Sequence, residues 1–157
     1  MKKRIAIISE HASPLASLGG VDSGGQNVYV AEIARQLSYK NYEVDVYTRW
    51  DNPALPEVIT WIPDVRIIHV EAGPIRYIEK EFIYDYMPAF TERMVSFIRS
   101  ESIEYELVHA NFWMSALVAS DIKKILQIPF VVTFHALGCI RKLHQGSKDK
   151  FPSERVE

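Results

Sequence analysis

Short unbroken apolar runs alternate along the chain with longer stretches whose apolar residues recur at helical spacing. Residues 4–8 (RIAII) form one such run, the pattern of a strand buried on both faces. A polar, glycine-bearing loop follows over 9–23. Val30, Ile33, Ala34 and Leu37 fall at i, i+3, i+4 and i+7, which predicts a helix over 25–40. Asn41 stands where a helix stop is expected. Residues 43–48 (EVDVYT) alternate and are β-branched, predicting a second strand. Pro53, Pro56 and Pro63 mark a loop over 50–65, with room for a short strand near 58–61. Residues 65–70 (VRIIHV) predict another strand, ended by Ala72-Gly73-Pro74. Ile83, Met87, Phe90, Met94 and Phe97 outline a long helix to about Ser100. Pro88 inside it predicts a kink or a restart. A short strand at 107–110, a helix through Val118, Ile122, Ile125 and Leu126, and a strand at 130–134 (FVVTF) complete the pattern.

This order of elements predicts an α/β fold: a Rossmann-like, mostly parallel sheet with right-handed crossovers and helices on both faces. From Ala136 the chain turns polar and basic. It closes on residues 151–157 (FPSERVE), where Pro152-Ser153-Glu154 is a helix-start signal. Strand 130–134 lacks the crossover that should follow it. The expectation is a piece of a longer polypeptide; the other reading is a disordered C-terminal tail.

At 157 residues the chain fits one domain with a core of its own. A net charge of −2 argues against nucleic acid or an anionic membrane as the main partner. One cysteine, Cys139, excludes an internal disulfide and fits a reducing, cytoplasmic setting. The basic start MKKRIAII has too short an apolar run for a signal peptide. No run reaches the ~18 apolar residues of a membrane span.

Open parallel sheets bind ligands outside the carboxyl ends of their strands. Polar and glycine residues follow the strands there: Ser9-Glu10-His11, Ala72-Gly73-Pro74, Asn111-Phe112-Trp113, and His135-Ala136 before Gly138. Together they predict one cleft. The segment GGVDSGG leads into the first helix. Its glycines allow a close backbone approach, and the helix end favours a phosphate or sugar hydroxyls. Asp22 or Ser23 is the expected N-cap. A glycine-rich connector with no ligand is the bland alternative. The spacing is not GxGxxG, and no acid closes the second strand, so no NAD site is expected. His69 reads as packing. His11, His109 and His135 fall near strand ends, but their spacing does not suit a metal, and none is expected. No Ser-His-Asp order or nucleophile elbow is visible.

These residues resemble the N-terminal, acceptor-side half of GT-B fold glycosyltransferases of family 4, in particular the sucrose-phosphate synthases and the inositol 3-phosphate glycosyltransferases. The resemblance rests on residues 9–15 (SEHASPL), residues 20–30 (GVDSGGQNVYV), Ala72-Gly73-Pro74 with Lys80, residues 109–113 (HANFW) and residues 134–138 (FHALG). It implies a single N-terminal domain over 1–157, incomplete at its C-terminal end, with the donor-binding domain absent. Gly19, Gly20 and Gly25 would lie by the donor's diphosphate and sugar. His11, Asp22, Ser23, Gly24, Gln26 and Asn27 would hold the acceptor. Lys80 and Arg155 would meet its phosphate, since a sugar phosphate needs cationic donors. His135 would touch the transferred sugar. The implied reaction moves a hexosyl group with retention from a nucleotide-sugar, UDP-glucose by default, to a sugar phosphate or related polyol. No further cofactor is implied, and the 157 residues alone would be inactive.

The chain departs from its relatives at Asn111 and Phe112, where a second histidine and a tyrosine are common, and at Ala136, where the inositol-phosphate enzymes carry a hydroxyl. A non-catalytic sugar-phosphate or nucleotide-binding module is the alternative function. A degenerate paralogue acting through protein contacts is a third.

Overall fold

The computed structural model describes residues 1–16 and 24–156. Among the described residues six strands form one sheet: β1 (Arg4–Ile8), β2 (Glu43–Arg49), β3 (Val58–Ile62), β4 (Val65–Val70), β5 (Leu107–Asn111) and β6 (Phe130–Thr133). Their spatial order is β3-β4-β2-β1-β5-β6. All neighbours run parallel except the hairpin of β3 with β4 at one edge. Four α-helices among the same residues accompany them: α1 (Gly25–Tyr39), α2 (Met87–Ser100), α3 (Trp113–Leu126) and α4 (Gly138–Gln145).

The apolar runs explain the layers. Alternate residues of a strand point to opposite faces. Ile5 and Ile7 join Val44, Val46, Val65 and Ile67 against Val30 and Ala34 of α1. Ala6 and Ile8 join Tyr47 and Ile68 on the other face, against Phe90 and Met94 of α2 and Val118 and Ile122 of α3. Both faces are therefore dry, as a continuous run without alternation requires. Asn41 takes φ 68° just after α1, the left-handed turn expected of it.

Two regions refine the sequence reading. The long helix from residue 83 does not form as one piece. Two 3-10 turns, Lys80–Phe82 and Tyr84–Tyr86, precede α2, and Pro88 lies in its first turn. A proline there loses no helical hydrogen bond, so the chain restarts rather than kinks. The polar region after Ala136 contains α4, none of whose residues is buried. The helix-start signal at 152–154 yields a 3-10 turn, Ser153–Val156.

The topology also places the cleft. From β1 the chain crosses through α1 to β2 on one side, and β5 pairs with the other side of β1. Connections thus diverge between β1 and β5, and their carboxyl ends flank the switch point where such sheets take ligands.

Candidate functional site

The exits of β1 and β5 are tied together by α1. Gln26 Nε2 donates to Ser9 Oγ at 3.1 Å and to the Asn111 carbonyl at 3.3 Å. Ser9 Oγ in turn donates to the Ala12 carbonyl at 2.8 Å. Asn27, buried in the first turn of α1, donates through Nδ2 to the Ser13 carbonyl at 2.8 Å. Its Oδ1 accepts from the Gly24 N–H at 3.0 Å. Gly24 is the N-cap, not Asp22 or Ser23 as the sequence suggested. The side chain of Asn27 provides the capping contact from inside the helix, which lets a glycine occupy the cap. Gly25 opens the helix. Gly19, Gly20, Asp22 and Ser23 lie outside the described residues.

Three histidines gather beside this link. His11 donates from Nδ1 to Glu10 Oε1 at 2.7 Å and sets its ring edge-on to Phe112 at 4.8 Å. Glu10 is fully buried, and its other oxygen accepts from Ser115 Oγ. His135 stands in the left-handed region at φ 59°. Its Nε2 lies 3.0 Å from Asn111 Oδ1. Asn111 is itself buried, with Nδ2 3.3 Å from the His109 carbonyl. His109 Nε2 meets Thr133 Oγ1 at 2.9 Å, and the Tyr29 hydroxyl approaches the same oxygen at 3.4 Å. Tyr29 also sits edge-on to His135 at 4.9 Å.

The electrostatics follow from this neighbourhood. Burial, then the nearby His135, lowers the pKa of His109. Burial, then His11, lowers that of His135, while Glu10 opposes the shift. Both imidazoles therefore favour their neutral forms at neutral pH. Neutral imidazoles and amides at a rim can both give and accept hydrogen bonds, which suits hydroxyl-rich ligands.

The exit of β4 is held from within. Arg49 is buried, and its guanidinium donates to the carbonyls of Ala72 at 2.8 Å and Arg76 at 2.9 Å, and to that of Pro74. Gly73 between them has φ 76°, and a Cβ there would stand 2.6 Å from the Tyr86 ring. The pinned turn leads to Tyr77 and Ile78, which share a small hollow with Glu10, His11, Arg49 and Asp51. Lys80 follows, half-buried, at the start of its 3-10 turn. Larger hollows of about 560 and 640 Å³ lie at the opposite, amino-terminal edge of the sheet. No histidine or glycine loop converges on them, and a further hollow of about 450 Å³ between β4 and α2 holds His69 alone of the histidines, so the chemistry favours the smaller one.

Arg155 is engaged rather than open. It pairs with Asp149, reaches the Gly138 carbonyl at 3.3 Å, and stacks over Phe151 at 4.7 Å. Phe151 is buried against Phe112 and Trp113, which brings the C-terminal segment over the exit of β5. The structure thus brings together His11, His135, Gly24, Gln26 and Asn27, sets Lys80 on an adjoining segment, and holds Arg155 in an ion pair. Glu10, Ser115 and Arg49 were not singled out from sequence. An acid beside a histidine at a strand exit was the one available signal. Among the described residues, no three His, Cys, Asp or Glu side chains are grouped to hold a metal. No helix among them is long and apolar enough to cross a membrane.

Comparison with known proteins shows the family and the fold of the chain. The profile of Glycosyltransferase Family 4 matches residues 23–154. The D-inositol 3-phosphate glycosyltransferase of Corynebacterium glutamicum is 36% identical over 96% of this chain and 36% of its own length. That of Salinispora tropica is 34% identical over 99% of this chain and 33% of its own. The solved sucrose-phosphate synthase of Thermosynechococcus elongatus superposes with a TM-score of 0.90 at 30% identity, over 98% of this chain and 38% of that one. The catalytic domain of starch synthase IV from Arabidopsis thaliana, at 13% identity and a TM-score of 0.56, shares the fold. The chain spans about a third of the length of the curated relatives it matches.

Proposed function

Because this chain belongs to Glycosyltransferase Family 4, with the Rossmann-like α/β architecture of a GT-B half, we propose that it is the acceptor-side domain of a retaining hexosyltransferase. Its donor is a nucleotide-sugar, UDP-glucose by family likeness. Its acceptor is a sugar phosphate or a phosphorylated polyol. A second domain completes the donor site, and the 157 residues alone are inactive.

One observation carries this reading: at the adjacent exits of β1 and β5, Gln26 and His135 are both hydrogen-bonded to Asn111, Gln26 also to Ser9, and His11, bonded to Glu10, stands on the same exit of β1. In this reading the reaction needs little covalent help from these residues. The diphosphate leaves, an oxocarbenium-like centre forms, and an acceptor hydroxyl attacks from the same face. The domain holds the acceptor and aligns it, which is catalysis by positioning and electrostatics. His135, held by Asn111, meets the transferred sugar. His11, Asp22, Ser23, Gly24, Gln26 and Asn27 meet the acceptor. The open end of α1 at Gly25, with Gly19 and Gly20, approaches the diphosphate. Lys80 meets the acceptor phosphate, and Arg155 joins it only if its bond to Asp149 is exchanged.

Asn111 and Phe112 favour a second reading, a binding module without transfer, because both side chains are committed to neighbouring rings. The natural full-length polypeptide separates the two. Incubated with UDP-glucose and inositol 3-phosphate, glucose 6-phosphate or fructose 6-phosphate, it should release UDP and form a glycoside. Binding of a sugar phosphate with neither hydrolysis nor transfer, across the common nucleotide-sugars, would establish the module instead.

A further inference from the structure

Glu10 is a charged side chain with no exposure, set directly behind a rim histidine. A buried carboxylate is tolerated only where its oxygens are satisfied. Here each oxygen has a donor: Oε1 takes the His11 Nδ1–H at 2.7 Å, and Oε2 takes the Ser115 hydroxyl. Ser115 Oγ also lies 3.4 Å from the Glu10 N–H, so one residue of α3 engages Glu10 at backbone and side chain. Phe112 flanks the imidazole at 4.8 Å and limits its rotation.

The geometry points to Glu10 as the positioning residue that fixes the tautomer of His11 and makes its Nε2 a hydrogen-bond acceptor for a ligand hydroxyl. A carboxylate cannot donate, so it takes the proton-bearing nitrogen, Nδ1. Nε2 is left with its lone pair, and no hydrogen bond to it is found among the described residues. A lone pair selects a hydroxyl donor and disfavours an anion. The phosphate of the acceptor is thereby directed away from His11, toward Lys80. This rests on the proposed acceptor role of His11; the tautomer itself does not.

Nitrogen-15 NMR of the histidine-labelled chain at about pH 8, where imidazoles are neutral, tests it without any assay of transfer. The His11 signals are identified by their loss in His11→Asn. In the wild type, Nδ1 should be the protonated nitrogen. Glu10→Gln should keep this tautomer, because the amide carbonyl still accepts. Glu10→Leu should shift His11 toward Nε2–H. Titration with inositol 3-phosphate should show about fivefold weaker binding in Glu10→Leu, the scale of one hydrogen bond, and little change in Glu10→Gln. A wild-type His11 protonated at Nε2 would overturn the assignment, even if Glu10→Leu fails to fold. An unchanged tautomer in Glu10→Leu would overturn it too. Protonated Nδ1 with no binding of inositol 3-phosphate, glucose 6-phosphate or fructose 6-phosphate by the wild type would uphold Glu10 and defeat the acceptor reading of His11.

Discussion

His135 Nε2 lies 3.0 Å from Asn111 Oδ1, while Asn111 Nδ2 faces the His109 carbonyl at 3.3 Å. The second contact orients the first. A carbonyl only accepts, so Nδ2 must point at it and Oδ1 must point at the imidazole. His135 therefore donates from Nε2 and keeps Nδ1 as an acceptor. Asn111→Leu keeps the volume and removes both contacts. Loss of these bonds from a buried position should cost about 1–3 kcal/mol in urea unfolding. In the transfer reaction proposed above, kcat should fall about tenfold with a smaller change in the acceptor KM. An unchanged kcat would remove His135 from the reacting centre.

Acid should weaken the fold through His109. Burial, and then the charge of His135, lowers its pKa in the folded state. The unfolded chain thus binds the proton first as pH falls below about 6.5. Stability from this group is complete above that value and is lost on descent toward the folded pKa. His109→Gln should flatten the unfolding free energy between about pH 7 and pH 5, measured by urea titration at each pH. An equal slope in both proteins would place the acid sensitivity elsewhere.

Much of this fold was legible because its strands are dry on both faces. The runs at 4–8 and 65–70 need no tertiary information to be read as central strands. Pro88 made the neighbouring helix ambiguous, since a proline in a first turn and a proline at a kink look alike in sequence. Helix α4 was missed because Leu137, Ile140 and Leu143, in and beside it, are exposed. The histidines and the glycine segment announced a ligand edge, yet the partners of Glu10 and Arg49 did not. Ser115 is 105 residues from Glu10 in sequence. Arg49 acts on carbonyls, which carry no residue signature. Such contacts are set by topology and become visible only when the strand order is known.

The turn after β4 should tolerate no side chain at Gly73. Its φ of 76° disfavours any residue with a Cβ, and that atom would meet Tyr86 at 2.6 Å. Backbone strain alone should cost Gly73→Ala about 1–2 kcal/mol, with the clash adding to it. Tyr86→Leu in the same chain should recover part of the loss by relieving the clash and leaving the strain. Thermal unfolding of the two single variants and the double variant measures the coupling. Simple additivity would mean that the ring moves aside freely.

Lys80 should discriminate by charge. Lys80→Ala should weaken inositol 3-phosphate about tenfold or more, as expected for a lost charge-assisted bond. Unphosphorylated inositol should be nearly unaffected. Calorimetric titration of both ligands against both proteins gives the comparison. Equal losses would assign Lys80 to the shape of its turn rather than to the phosphate.

Phe151 fastens the C-terminal segment to the rim. Its ring contacts Phe112 and Trp113 on one side, and the Arg141 and Arg155 guanidinium groups lie over it at 5.1 and 4.7 Å. Two further ion-pair contacts, Arg141 with Glu81 at 4.0 Å and Lys150 with Glu79 at 3.9 Å, join the same segment to the turn that carries Lys80. These pairs are partly exposed and contribute little by themselves; the ring supplies most of the burial. Truncating such a ring typically costs about 3–5 kcal/mol. Phe151 is the one buried residue among 138–156, so the loss should appear as local opening rather than global unfolding. In Phe151→Ala, hydrogen exchange should accelerate across α4 and residues 146–156 while β1, β2 and β5 keep their protection. Arg155→Ala, which leaves the ring in place, should open the segment less. Uniform loss of protection across the sheet in Phe151→Ala would show instead that the C-terminal segment and the sheet unfold as one unit.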